Sequence, residues 1–153
     1  MKLGEKTSKA VAKGLVNWHI HGTAKQSSKT FNPNDVVLLV NKGLPIAELE
    51  DLRIKLDLPM EKLAEKIGMS KSTLHRRKDT GRLETGESDR VLRLARLFGK
   101  AIDVLGSETE GRRWIMSKQF GLGGAIPLDY AETEVGAREV ENLLTRIDYG
   151  VYS

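Results

Sequence analysis

The sequence predicts an all-α protein, on three observations. Only 5% of the 153 residues are aromatic and four are proline, a composition that argues against a β-sandwich or barrel. In successive segments, apolar residues recur at the i, i+3, i+4 and i+7 spacing of helices. Residues that start or end helices, such as serine, proline and glycine, flank those segments. We therefore expect short helices joined by tight turns.

The composition indicates the compartment of the protein and the kind of partners that its surfaces contact. The chain has no cysteine, which excludes a disulfide framework and a zinc finger and favours a reducing compartment, the cytoplasm. Its longest apolar run, residues 36–40, is far shorter than the ~20 residues that cross a bilayer, so we expect no membrane span. Residues 1–40 hold six lysines against Glu5 and Asp35, whereas residues 105–153 hold five basic and eight acidic residues. A basic front and an acidic rear predict surfaces for different partners.

Residues 1–30 are rich in Lys, Ser, Thr and Gly, with few periodic apolar positions, so we predict a flexible basic arm. The island GLVNWHIHG at residues 14–22 interrupts this composition, and we interpret it as either a short strand or a docking patch. In an extended segment His19 and His21 would share a face, as metal ligands do, but no third ligand is evident. Chance or packing is the preferred account of the two histidines.

Residues 31–104 are predicted to form a helical module. It begins with a short helix in FNPNDVVLLVNKG, with Asn32 as N-cap, Pro33 at the first helical position and Gly43 as the stop. The following stretch, PIAELEDLRIKLDLP, carries acidic residues in its early turns, as the helix dipole favours. It also places three leucines at helical spacing: Leu49, Leu52 and Leu56.

Residues 60–78 carry the pattern of a helix-turn-helix. MEKLAEKIG repeats apolar residues at helical spacing up to Gly68, and MSKSTLHRRK starts a second helix with Ser70 as N-cap. Two helices that cross closely need a small residue at the crossing and a glycine in the turn, and Ala64 and Gly68 occupy those places. Leu74 then supplies the apolar contact from the second helix back into the core.

The second helix of this motif presents a cationic face. Four residues either point away from Leu74, at about 100° per residue, or lie in the first turn, where side chains enter a major groove. We predict that these four contact base edges: Lys71, Ser72, His75 and Arg76. Arg77 and Lys78 lie nearer the buried side, and we assign them to the rim, where long side chains reach phosphates. A solvated helix end is the alternative, but the combined spacing favours DNA binding.

The rear of the chain predicts three more helices. ESDRVLRLARLFGKAIDVLG reads as a longer helix with a core-facing apolar stripe, and SETEGRRWIMSKQFG and TEVGAREVENLLTRID are further helical patterns. A connection containing glycine and proline, LGGAIPLDYA, separates the last two. The segment DYGVYS follows the last helix directly and carries two tyrosines, which suits insertion into a partner's cleft; a frayed end is the alternative.

These stretches together resemble the Xre/MbcA/ParS-type antitoxins, in particular the Xre partner of RES-domain toxins. The resemblance covers residues 43–153 and is carried by GLPIAELEDLRIKLDLP, LAEKIGMSKSTLHRRKDTGRL, ESDRVLRLARLF and RWIMSKQFGLGGAIPLDYAETEVGAREVENLLTRIDYGVYS. Where the family often has a Pro-Asn pair after the tryptophan helix, this chain has Lys118 and Gln119. The arm of residues 1–30 matches no part of the family that we can name.

The resemblance implies a helix-turn-helix module, residues 31–104, that binds the operator of its own toxin-antitoxin operon, and we expect a homodimer on a palindromic site. It implies that a small helical domain, residues 105–153, binds a RES-domain toxin, a NAD-consuming enzyme similar to ADP-ribosyltransferases, and that the C-terminal segment occludes the toxin's active site. The chain itself would be no enzyme and would need no cofactor or metal. The resemblance carries over eight structural or contact positions of the toxin-binding domain: Trp114, Leu122, Gly123, Gly124, Pro127, Tyr149, Gly150 and Tyr152.

Three other functions remain open. A stand-alone helix-turn-helix transcription regulator with a C-terminal dimerisation domain would keep every activity without DYGVYS. A small hydrolase would use carboxylates near the glycine and proline connection, such as Asp129 and Glu132, although no histidine or cysteine lies nearby in the sequence. A DNA-bound structural factor would bind duplexes with little sequence preference and a steep salt dependence.

Overall fold

The computed structural model describes residues 14–21 and 31–150, and within these ranges it is mainly helical and contains no β-strand. The predicted all-α class is confirmed. The helices described are α1 Leu15–His21, α2 Pro33–Lys42, α3 Ile46–Leu56, α4 Met60–Lys66, α5 Lys71–Thr80, α6 Thr85–Leu105, α7 Glu108–Ile115, the 3-10 helix Phe120–Leu122, α8 Pro127–Tyr130 and α9 Glu134–Asp148.

The chain divides into two compact units, and the division falls between Leu92 and Arg93, inside α6. In the first unit α1 packs against α3, α3 against α4, and α4 against α5. In the second unit α9 packs against α8 and the 3-10 helix, and α7 packs against α8. The boundary expected from the sequence, between residues 104 and 105, lies at the C-terminal end of α6.

The island within the predicted arm forms a helix, α1, and not the short strand that was one interpretation of it. Leu15, Val16 and Ile20 are buried, so the segment belongs to the core of the first unit. Its start is held by the buried carboxylate of Glu48 on α3, which accepts hydrogen bonds from the backbone N–H groups of Gly14 and Val16 at 2.8 Å each and of Leu15 at 3.3 Å. The histidines of this segment therefore lie on a helix, where His19 Nδ1 is 2.9 Å from the Leu15 carbonyl oxygen.

The helix starts predicted in the first unit are confirmed by their caps. The Asn32 side chain accepts from the Asn34 N–H at 2.9 Å at the start of α2, and Ser70 Oγ accepts from the Thr73 N–H at 3.2 Å at the start of α5. Gly43 follows α2 as predicted. The stripe of leucines predicted for α3 is buried as well: Leu49, Leu52 and Leu56. Local signals and burial thus agree for these helices.

The second unit is built on the rear part of α6 together with α7, α8 and α9. Its helices begin at side-chain caps: Ser107 Oγ accepts from the Glu110 N–H at 3.1 Å, and Thr133 Oγ1 accepts from the Gly136 N–H at 3.1 Å. The buried side chains of this part of the chain include Leu94, Ala95, Leu97, Phe98, Ala101, Ile115, Leu122, Leu128, Ala131, Ala137, Val140, Leu143 and Leu144. Ion pairs across its surface include Arg93 with Glu134, at 3.1 Å.

None of the helices in the described ranges has the length and apolarity that crossing a membrane requires. Residues 14–21 and 31–150 also contain no group of three or more His, Asp or Glu side chains that could hold a metal ion.

Candidate nucleic-acid and partner interfaces

The turn between α4 and α5 brings the two helices of the motif together. Gly68 follows α4 with φ of +74°, a left-handed conformation that favours glycine, and the Met69 N–H returns to the Ala64 carbonyl oxygen at 2.8 Å. The guanidinium of Arg90 on α6 donates to the Ile67 carbonyl at 3.0 Å, which fixes the turn from the outside. Sequence reasoning missed Arg90, because no local signal connects it to a turn more than 20 residues earlier.

The packing predicted for the helix-turn-helix is present. Ala64 and Leu74 are both buried, and α4 packs against α5. Ile67 and Met69, on either side of Gly68, are buried too, so the turn itself contributes to the core. Apolar contacts on one side therefore help to set the orientation of α5, and its exposed residues remain available to a partner.

Five of the six residues predicted to contact DNA are exposed on α5: Lys71, Ser72, His75, Arg76 and Lys78. They lie on two adjacent sides of the helix. Lys71, His75 and Lys78 line a groove of about 510 Å³ between α4 and α5, and three residues of α4, Glu61, Lys62 and Glu65, line it too. Ser72 and Arg76 do not line that groove; the Arg76 guanidinium donates to Thr73 Oγ1 at 3.2 Å. His75 Nε2 lies 3.7 Å from a carboxylate oxygen of Asp79 on the same helix.

The two sides of α5 differ in the charged residues around them. On the groove side three lysines, Lys62, Lys71 and Lys78, outnumber the carboxylates of Glu61 and Glu65, so the groove keeps a net positive charge. Arg76 has no carboxylate within ion-pairing distance among the described residues. Arg76 is thus one of three exposed cations of α5, with Lys71 and Lys78, that are available for charge-assisted contact with a partner.

Arg77 does not reach the rim as the sequence suggested. Its guanidinium makes a bidentate contact with the carboxylate of Glu87 on α6: Nε lies 2.7 Å from Oε1 and a terminal nitrogen lies 3.2 Å from Oε2. The guanidinium also lies 3.1 Å from a carboxylate oxygen of Glu84. The side chains of Arg77 and Glu87 are only 13% and 12% exposed. An arginine so close to the buried side finds an acidic partner within the protein, which costs less than leaving its charge unpaired. Arg77 thus ties α5 to α6.

Glu87 is held at both of its carboxylate oxygens. Besides Arg77, it accepts the backbone N–H of Glu84, immediately before α6, at 2.9 Å, the arrangement of a helix-capping glutamate. Burial acts to raise the pKa of Glu87, but the hydrogen bonds from Arg77 and the Glu84 N–H, with the charges of Arg77 and Arg90, outweigh it and lower the pKa below its ordinary value. Glu87 was not identified from the sequence as a partner of Arg77. The only sequence feature that pointed to it is its position as an acidic residue near the start of α6.

In the second unit the residues predicted from the resemblance separate into structural and exposed positions. Leu122 and Pro127 are buried and Trp114 is half-buried, so these three support the fold. Gly123 and Gly124 are exposed, with φ of +66° and +87°, and form a tight turn after the 3-10 helix. Tyr149 is 79% exposed directly after α9, with Gly150 behind it. Tyr152 lies outside the described residues.

The turn around the 3-10 helix is closed by hydrogen bonds at Gln119. Its N–H donates to the Ala125 carbonyl at 3.0 Å, its carbonyl accepts from the Gly124 N–H at 2.9 Å, and its side-chain amide donates to the Trp114 carbonyl at 3.0 Å. A side chain at Gly121 would place Cβ 2.7 Å from a methyl carbon of Leu143, so the turn rests directly on α9. The turn is therefore held at its base and at one side.

This turn displays Phe120, which sequence reasoning assigned only to a helical pattern. The Phe120 side chain is 92% exposed, the largest exposure among the large apolar side chains of the described residues. A solvent-exposed aromatic ring on a turn held by hydrogen bonds is typical of a residue that contacts a partner. Binding would bury its apolar surface, and the ring would lose little conformational entropy because the turn is already ordered. The sequence signal that could have identified Phe120 is a phenylalanine followed by closely spaced glycines.

Two sequence families match the chain. Residues 35–96 match the antitoxin Xre-like helix-turn-helix domain, and residues 100–150 match the antitoxin Xre/MbcA/ParS C-terminal toxin-binding domain. The matches cover α2 to most of α6 and the end of α6 to Gly150, respectively. The first contains the exposed residues of α5, and the second contains Phe120 and Tyr149.

Several curated relatives align with most of the chain. The chain is 29% identical over 116 residues to antitoxin Xre of Yersinia enterocolitica, covering 74% of this chain and 78% of the relative. It is 27% identical to antitoxin Xre of Photorhabdus laumondii, covering 89% and 90% of the two chains. A protein of a Sphingobium species named Prs ADP-ribosylating antitoxin is 25% identical, covering 80% and 83%. With both family domains in order and relatives of this extent, the chain belongs to the Xre/MbcA/ParS-type antitoxins.

Proposed function

We propose that this chain is the antitoxin of a type II toxin-antitoxin module whose toxin is a RES-domain, NAD-consuming enzyme. It acts in the cytoplasm by stoichiometric binding and has no catalytic activity or cofactor of its own. Residues 105–153 occlude the toxin's active site. Residues 31–104, as part of a homodimer, bind the operator of the same operon and so regulate its transcription.

The observation that carries this proposal is the presence of an Xre-like helix-turn-helix domain and a toxin-binding domain in one chain. A transcription regulator needs only the first of these. The relative named Prs ADP-ribosylating antitoxin supports a toxin with ADP-ribosyltransferase-like chemistry, which is the class to which RES-domain enzymes are similar.

On the toxin side, the contacts are assigned to the exposed aromatic residues of the second unit. Tyr149 follows α9 and is the second residue of the segment DYGVYS, which enters the active site. Phe120 anchors the same toxin at a second point, from its closed turn. Burying two aromatic rings that are mostly exposed in the free chain supplies a large apolar gain on binding.

On the DNA side, α5 enters the major groove. Arg76, Ser72, Lys71 and His75 contact base edges, and Lys78 contacts a phosphate. Arg77 contributes by holding α5 against α6 through Glu87, and not by touching DNA.

Co-purification from the native host tests the proposal. Four tagged versions are compared: the full chain, a chain ending at Asp148, Phe120→Ser, and the control Ile54→Ser, which removes an exposed apolar side chain from the first unit. We expect a RES-domain protein with the full chain and with the control, and much less of it with the shortened chain and with Phe120→Ser.

The outcomes separate the parts of the proposal. Equal recovery of the RES-domain protein with all four versions would mean that neither the tail nor Phe120 holds the toxin. Absence of any partner protein from all four, with operator binding retained, would favour the stand-alone transcription regulator.

A further inference from the structure

Arg146 on α9 is half-buried and has no partner in the part of the chain that the structure describes. Its Nε atom is buried and makes no hydrogen bond there. No carboxylate of the described residues lies within ion-pairing distance of its guanidinium. A guanidinium that is partly withdrawn from water normally pairs with an acid, because desolvation of an unpaired charge costs free energy. The free chain therefore contains a cation whose hydrogen-bonding capacity is not satisfied.

Other arginines of the second unit show how such a charge is usually held. Three of them pair with a glutamate three or four residues earlier on the same helix: Arg112 with Glu108, Arg113 with Glu110 and Arg138 with Glu134. Three and four residues before and after Arg146, the chain has Asn142, Leu143, Tyr149 and Gly150, none of which is acidic. The helix that carries Arg146 therefore gives it no acid to pair with.

Arg146 lies between the two aromatic residues that we assign to the toxin. Leu143, three residues before it, supports the Phe120 turn, since a Cβ at Gly121 would be 2.7 Å from a Leu143 methyl carbon. Tyr149, three residues after it, is largely exposed. Residues three apart on a helix are neighbours on its surface. A continuous row therefore runs from the base of the Phe120 turn through Arg146 to Tyr149.

A toxin that buries the two aromatic rings also covers Arg146. Contact on both sides of the guanidinium excludes water from it, and a desolvated charge is stable only beside a group of opposite charge. The planar guanidinium fits the carboxylate of an Asp or Glu side chain through two parallel hydrogen bonds. The interface residues that contribute most to affinity are enriched in arginine and aromatic residues, and they cluster. The row on α9 has this composition.

We propose that Arg146 pairs with the carboxylate of an Asp or Glu side chain of the RES-domain toxin, between the contacts of Phe120 and Tyr149. The inference rests on the proposed function and deepens it by naming the chemistry of the toxin surface that α9 contacts. It also assigns specificity to Arg146. A related toxin with no acid at this place leaves the guanidinium desolvated and unpaired, so it binds more weakly.

Isothermal titration calorimetry of the full-length chain with the purified RES-domain enzyme of the same host gives the first test. Arg146→Met removes the charge and keeps an unbranched side chain, and we expect it to raise the dissociation constant by about 30-fold or more. Arg96→Met is the matched control. Arg96 lies on α6 in the same unit and forms no ion pair with a described residue, but it is exposed. Its substitution should leave the dissociation constant unchanged.

The melting temperature of the free chain separates this role from a structural one. Arg146→Met removes a buried donor that has no acceptor, and it leaves no carboxylate of the described residues without its partner. We therefore expect the Arg146→Met chain to melt at the wild-type temperature or above it. A lower melting temperature would mean that the guanidinium makes a stabilising contact within its own chain, and this result overturns the inference.

Charge reversal identifies the acid on the toxin. Arg146→Glu should bind the toxin more weakly than Arg146→Met, and replacement of one toxin Asp or Glu by Lys should restore binding of the Arg146→Glu chain. If the wild type binds, equal dissociation constants for wild type and Arg146→Met overturn this inference alone, as does failure of every toxin variant to restore binding. A wild-type chain that does not bind the toxin counts against the proposed function itself.

Discussion

Arg77 and Arg76 are neighbours in the sequence with different roles. Arg77 points toward α6 and pairs with Glu87, whereas Arg76 is exposed and donates to the Thr73 hydroxyl of its own helix. The helical angle between them predicted that Arg77 lies nearer the core, but the acid that receives it is ten residues later and on another helix. Sequence patterns place a side chain around a helix axis; they do not identify its partner.

Arg76→Ala should weaken operator binding by about 1–3 kcal/mol and relax specificity at one base position, because a bidentate base contact is lost. Lys78→Ala is the comparison: it should weaken binding to all sequences alike and lower the salt dependence by about one phosphate contact. Binding to operator variants at several salt concentrations measures both. Uniform weakening by Arg76→Ala would assign that residue to the phosphates.

The Arg77–Glu87 pair should make stability depend on pH in acid. Because the folded-state pKa of Glu87 lies below its ordinary value, the stability that its carboxylate contributes is complete above the ordinary pKa and is lost as pH falls through the folded-state pKa. The melting-temperature difference between wild type and Glu87→Gln should therefore shrink as pH falls from about 5 to about 3. A difference that stays constant over this range would contradict the pairing. Subtraction of the two curves removes contributions of other groups, such as Glu48, whose pKa is raised by burial.

At the scale of elements, the helices were predictable where a cap and a periodic apolar stripe coincide. Asn32, Ser70 and Gly68 fixed the ends of α2, α5 and α4 correctly. α1 was not recognisable because a helix of seven residues has little intrinsic stability and here depends on burial and on Glu48. The sequence also did not predict that Val37 and Leu38 of α2 are exposed, since an apolar helix is normally expected to be buried.

Glu48→Ala should release the start of α1. Its removal leaves the N–H groups of Gly14, Leu15 and Val16 without their acceptor, and we expect a loss of about 2–4 kcal/mol in the free energy of unfolding. Glu50→Ala, on the same helix, is the control and should change stability by less than about 0.5 kcal/mol, because Glu50 makes a surface pair with Arg53. Urea unfolding followed by circular dichroism gives both values; similar losses would remove Glu48 from its anchoring role.

For the whole molecule, fold class and family were accessible from the sequence because the motifs of both domains are present in order. The residues that we propose contact the toxin were harder to identify from the sequence. The resemblance supplied core positions such as Leu122 and Pro127 together with exposed ones such as Tyr149, whereas the most exposed aromatic of the described residues, Phe120, emerged only from its position on a closed turn. Conserved-looking motifs identify a domain, but exposure in three dimensions separates its contact residues from those that hold it together.

The central claim is that this chain neutralises a RES-domain toxin by stoichiometric binding, and inhibition of NAD consumption tests it most directly. The purified RES-domain enzyme of the same host is titrated with the full chain, and the remaining rate of NAD loss is measured at each ratio. We predict a linear fall in rate to a sharp end point at a fixed ratio of the two proteins, and a much weaker effect from the chain that ends at Asp148. An unchanged rate of NAD loss at a large excess of the full chain would contradict the account.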